Sequence, residues 1–150
     1  MDVYSIYWIK EEIADHYFYK SDYLYRFFKA YEAEPNRPDL AAQFAFITKD
    51  LLKEKIMQDM LNFPYDDVTI HRKHHHIELV ASKNYITLHM YEKHIKFLCP
   101  SLHDAEKLLF PVLKQFHPYL FIVGRNQYNY GWISLAKPTT NYEQVLYSLL

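Results

Sequence analysis

The sequence predicts an α+β domain in which a largely antiparallel sheet is packed with helices. Three observations predict it. A short aromatic, strand-forming segment runs directly into amphipathic helical patterns over the first sixty or so positions, short alternating runs separated by turn residues follow from Asp67, and a helical pattern and two apolar strand-like runs come after them. No internal repeat, low-complexity tract or long linker interrupts the 150 residues, so one domain over residues 1–150 is expected.

Val3 to Ile9 alternates aromatic, polar and aliphatic residues and reads as a strand that feeds a helix at about Lys10 to Tyr19, whose acidic Glu11 and Glu12 suit the positive helix start. Ser21 is the expected N-cap of a second helix, with Leu24, Phe27, Phe28 and Tyr31 recurring at helical spacing as its core face. Pro35-Asn36-Arg37-Pro38 breaks the chain, and Pro38 is placed to open a third helix with Leu40, Phe44, Ile47 and Leu51 on one side. Further helical turns are expected over Lys53 to Leu61. Val68 to His74, His76 to Ala81, Tyr85 to Met90 and His94 to Cys99 then read as an antiparallel meander with turns at Ser82-Lys83-Asn84 and Glu92-Lys93. Ser101 is placed to cap a helix carrying Leu102, Ala105, Leu109, Val112 and Phe116, with Pro111 as a source of kinking. Tyr119 to Val123 and Tyr130 to Leu135 are expected strands, and Asn141 to Leu150 a short terminal helix.

Composition narrows the function. Half the residues are apolar, which excludes a disordered chain, and no apolar run approaches the roughly 20 residues of a membrane span. Asp2 and Lys10-Glu11-Glu12 stand where a secretory signal would have a basic region and an apolar block, so the expected location is the cytoplasm. Seventeen basic against 18 acidic residues leave a net charge of −1, which argues against a broad nonspecific nucleic-acid footprint. Fifteen tyrosines suit protein interfaces, whereas only 2 glycines leave little for phosphate-cradling loops. The lone Cys99 admits no internal disulfide and reads as a small buried side chain.

His71-Arg72-Lys73-His74-His75-His76 suggests metal chemistry at first sight. If the segment is extended, His74 and His76 share one face and Lys73 and His75 the other, which supplies at most half of a zinc site, with two cations interleaved. A polar strand edge or hairpin shoulder is the expected reading, with no metal. No nucleophile has a partnering base in its local sequence, and Glu78, Asp66-Asp67 and Asp104 are isolated acids, so neither a catalytic residue nor a cofactor is expected.

The first helix is more informative. Ile13 and Tyr17 are four apart in one row, and Ala14 and Phe18 form the adjoining row about 100° round the helix. On pattern alone, both rows fit a core, or Ala14 and Phe18 pack on the sheet while Ile13 and Tyr17 border solvent and dock on a partner. Gln43 and Phe46 flank the core row of the third helix in a similar way, and such side chains suit a small aromatic-centred hot spot.

Ile9 to Glu12, His16-Tyr17-Phe18, Gln43 to Thr48, Ile77 to Ser82 and Tyr130-Gly131-Trp132 together resemble the SirA family, the sporulation inhibitors of replication. The resemblance covers most of the chain. It implies a protein partner, domain I of the replication initiator DnaA, and a noncatalytic mechanism of surface occupation. It also implies that Ile13, Tyr17 and Gln43 are the contact residues, with Phe46 as a flanking contact. Other members can carry Phe at the position of Ile13, a departure here, whereas Tyr17 and Gln43 match the resemblance directly. The order of elements is also reminiscent of acetyltransferase-like folds, which makes an acetyltransferase-like enzyme, or a fold relative that retained small-molecule binding, the alternative. Those enzymes hold a pyrophosphate on amides of a Gly-containing turn; the corresponding Leu98 to His103 has no Gly and includes Pro100, which has no amide hydrogen.

Overall fold

A computed structural model of the chain describes residues 1–116, 119–133 and 146–148. Strand β1 (Asp2–Ile9) is the axis of the fold: every residue from Tyr4 to Ile9 is buried, because both of its faces are covered and both of its edges are paired. On one edge it pairs with β6 (Ile95–Cys99), from Asp2↔Cys99 to Ile6↔Ile95, and on the other with β7 (Leu120–Gly124), from Tyr4↔Gly124 to Trp8↔Leu120. Where β6 stops, the two-residue β2 (Thr48–Lys49) takes over against Trp8 and Ile9.

The remaining strands extend the sheet to either side. They are β3 (Thr69–Lys73), β4 (His76–Val80), β5 (Tyr85–Met90), β8 (Asn129–Trp132) and β9 (Leu146–Ser148), in the order β3-β4-β5-β6-β1-β7-β8-β9, with all ladders antiparallel. The α+β class and the meander are as the sequence predicts. Two elements are not. β2 is too short to show a period, and it forms because the end of β1 offers a free edge to the chain leaving the third helix. Of the expected terminal helix, Leu146–Ser148 is instead a strand, its local propensity overridden by the open edge of β8; residues 141–145 and 149–150 lie outside the described residues, as do 134–135 of the strand expected from Tyr130.

Pleating sorts the β1 side chains into two cores. Tyr7 stacks on Phe28 at 4.1 Å, and across the same face Phe18 stacks on Trp132 at 5.2 Å and Tyr25 on Tyr130 at 4.4 Å. These contacts lay α1 (Glu11–Tyr17), α2 (Ser21–Ala33) and α3 (Pro38–Ile47) over β1, β7 and β8. On the opposite face Tyr4 stacks on Phe97 at 5.1 Å and Phe97 meets Phe110 edge-on, beneath α5 (Leu102–Leu108) and α6 (Phe110–Phe116), with α4 (Lys53–Asn62) packed against α6. The expected helix from Ser101 breaks at Leu109, since Pro111 has no N–H to continue the ladder and its ring crowds the preceding turn.

Smaller differences have local causes. Lys20, not Ser21, precedes the first turn of α2, and Ser21 is buried inside it, because the three-residue connection closes through Lys20 N–H to Tyr17 O at 2.9 Å. Phe27 and Tyr31 are only half-buried, so the core row of α2 is Leu24 and Phe28. Leu51 lies beyond the end of α3, although it is buried as expected.

Candidate protein-docking face

The site is built on the junction at the end of β1. Only Lys10 separates β1 from α1, and its N–H donates to Ile47 O at 2.9 Å, so the first turn of α1 is tied to the last turn of α3. Thr48 Oγ1 closes that end of α3 by donating to Phe44 O at 2.7 Å. The far end of α1 is tied to the sheet, where Trp132 Nε1 donates to Phe18 O at 3.1 Å beneath the stacked Phe18 ring. Held at both ends, α1 has a fixed rotation about its axis. That rotation buries Ala14 and Phe18 and leaves Ile13 and Tyr17 half-buried at the edge of the core.

Each of the three helices repeats this division. Beside the buried Leu24 and Phe28 of α2 run Tyr23, 56% exposed, and the half-buried Phe27; beside the buried Phe44 and Ile47 of α3 lie the exposed Gln43 and Phe46, the latter 63% exposed. The outer rows touch one another. Tyr17 and Tyr23 lie 6.2 Å apart between ring centroids, joining α1 to α2, and the Lys10 ammonium lies over the Phe46 ring at 5.1 Å, joining α1 to α3. Arg26 sits over Tyr23 at 5.7 Å and is held by Asp22 at 3.3 Å. The result is an aromatic face with cations on its rings and the exposed Glu11 and Glu12 at the start of α1.

Sequence reading placed Ile13, Tyr17, Gln43 and Phe46 on the helices now seen to form this face, but it missed Lys10 and Tyr23 and assigned Phe27 to the core. The signal was present. Tyr23 and Phe27 beside Leu24 and Phe28 repeat the two-row spacing of α1, although spacing cannot say which row a sheet covers.

Other chemical candidates are placed as follows. His74 and His75 form a tight turn between β3 and β4, with His74 in the left-handed region at φ 56°, so the expected hairpin shoulder is found and the extended arrangement that would pair His74 with His76 is not. His76 instead stacks on His89 at 4.6 Å, and Arg72 is bound by Glu54 at 2.8 and 3.0 Å. Among the described residues no three His, Cys, Asp or Glu side chains gather around a common ion position. Cys99 is fully buried, and burial, with the charges of Asp2 and Asp104, pushes its thiol up to about 12, which suppresses the thiolate a nucleophile needs. At the Leu98 to His103 turn, Asp104 places its carboxylate at the start of α5, accepting from Ser101 Oγ at 3.0 Å and Asn84 Nδ2 at 2.8 Å. No helix among the described residues is long and apolar enough to cross a membrane.

Comparison with known proteins identifies the family. Over 143 residues, 89% of this chain and 94% of the other, the sequence is 27% identical to the sporulation inhibitor of replication protein SirA of Bacillus subtilis (strain 168). The family described as sporulation inhibitor of replication protein SirA matches residues 2–137, from the first strand past the Trp132 that anchors α1, and the chain belongs to that family.

Proposed function

We propose that this protein inhibits the initiation of DNA replication in a sporulating cell by binding domain I of DnaA, without catalysis, in the cytoplasm. The observation that carries the reading is the contiguous outer row of α1, α2 and α3: half-buried Ile13 and Tyr17, linked through Tyr23 and through Lys10 to the side that bears Gln43 and Phe46. Membership of the replication-inhibitor family supports the biological process, and the partner is the one implied by the family resemblance at Ile13, Tyr17 and Gln43. Half-buried aromatic rings braced by a rigid scaffold lose little side-chain freedom on docking, which suits them as anchors. Ile13 offers less contact area than the Phe of other members, so Tyr17 is the central anchor and Gln43 the polar contact that fixes register.

Removing a central aromatic anchor costs about 2 kcal/mol or more, so Tyr17→Ala is expected to weaken binding of DnaA domain I by well over tenfold while the melting temperature stays near that of the parent. Gln43→Ala is expected to weaken it less. Calorimetric affinity and thermal melting on the same variants test this. A Tyr17→Ala protein that binds like the parent, or that loses binding only because it unfolds, would mean that the partner docks elsewhere.

A further inference from the structure

Away from the docking face, a cleft of about 380 Å³ opens between the α2–α3 corner and the β5–β6 turn. Its two walls are pairs of rings already stacked on each other: Tyr31 on Phe44 at 4.1 Å and 5°, and Tyr91 on His94 at 4.5 Å and 15°. Between them lies Tyr7, whose ring centroid is 5.8 Å from both Phe44 and His94. The Tyr7 hydroxyl donates to Glu32 Oε2 at 2.7 Å, and the Glu32 side chain is only 9% exposed.

The charged residues lining the cleft are Glu32, Glu92, Lys93 and Arg125, and the local excess of cations is around Glu32. Glu32 has Lys29 Nζ at 3.7 Å and Arg125 Nε at 4.0 Å, two cations to one carboxylate. The Lys29 amine is committed, donating to the carbonyls of Gly124 and Arg125 at 3.1 and 3.3 Å. Arg125 donates from Nη1 to Ser5 Oγ at 3.3 Å, and its side chain remains 36% exposed at the cleft. Lys93, on the rim, is neutralised by Asp50 at 2.7 Å. Burial, and after it the charges of Arg125 and Lys96, hold His94 down to about 4, so at neutral pH it presents an uncharged ring. A concave site with flat apolar walls and one partly exposed guanidinium, shared with Glu32 and Ser5, is arranged before any ligand arrives, which lowers the cost of binding one.

We propose that this cleft binds a small planar aromatic anion, its ring between the two stacked pairs and its carboxylate or phosphate on Arg125. The proposal is independent of the docking face, since none of Tyr31, Tyr91, His94 or Arg125 belongs to that face. Amide and aromatic NMR spectra of the full chain, titrated with indole-3-acetate, with indole and with acetate, separate the contributions of ring and charge; phenyl phosphate distinguishes a phosphate ligand from a carboxylate. Saturable shifts at Tyr91 and His94 are expected with indole-3-acetate or phenyl phosphate at a Kd of about 1 mM or tighter, and much weaker ones with indole or acetate alone. Arg125→Gln should weaken the anion about tenfold and leave indole unchanged, as loss of a charge-assisted contact predicts. Tyr91→Ala, at a half-exposed position, should weaken both. The proposal is overturned if neither anion gives saturable shifts by about 10 mM, an order above that affinity, or if both variants bind the anions like the parent.

Discussion

His94 has its ionisation moved far from its ordinary range, and the cause is position. It packs under Tyr91 in a turn that faces Tyr7, Arg125 and Lys96, so protonation would add a charge where water is scarce and two cations already stand. Its pKa falls from 6.5 in the unfolded chain to about 4 in the fold. The folded state therefore favours the neutral ring: the contribution is complete above pH 6.5 and is lost as pH falls toward 4. Because solvent reaches part of the ring, the loss across that window is on the order of 2 kcal/mol. Melting curves of the parent and of His94→Gln between pH 7 and pH 4 check this: the parent should lose more stability than the variant, and equal losses would mean that His94 titrates as if exposed.

At the scale of the element, α1 shows how a seven-residue helix, too short to persist alone, is given a defined face. Lys10 N–H on Ile47 O fixes one end, and Phe18 on Trp132 fixes the other. Phe18 follows Tyr17 in the chain, yet truncating it should act through stability: Phe18→Ala removes a buried ring from a stacked pair and is expected to cost about 3–5 kcal/mol in chemical denaturation. A loss below about 1 kcal/mol, the level of a surface site, would mean that α1 is held in some other way. This division was only partly legible in the sequence. The two rows of α1 follow from spacing, but which row is buried depends on Trp132, more than a hundred residues away, and the same ambiguity put Phe27 and Tyr31 in the core of α2. Strands β2 and β9 were illegible for a related reason, since each forms against an edge supplied by a distant segment. The cleft escaped notice altogether because its lining comes from β1, α2, α3, the β5–β6 turn and the end of β7, and no local pattern marks residues that meet only after folding.

For the whole molecule, the strand order decides what kind of protein the fold makes. Between β6 and β7, the strands joined through α5 and α6, lies β1, hydrogen-bonded to both, so these two strands are not neighbours in the sheet. The turn that would receive a pyrophosphate has Pro100 in place of an amide donor and the Asp104 carboxylate at the helix start, held by Ser101 and Asn84. A helix N-terminus stabilises a nearby negative charge by about 0.3–1 kcal/mol, and Asp104 already takes up that stabilisation while repelling a second anion. Sheet and helices hold the aromatic row on α1, α2 and α3 in place, as the proposed surface occupation requires. Acetyl-CoA is accordingly expected to give no amide shifts at Leu98 to Asp104 and no acyl transfer to amines. Saturable shifts along that turn, accompanied by acetylation of any amine substrate, would show that the fold has kept an enzyme's site, and the noncatalytic reading would have to be abandoned.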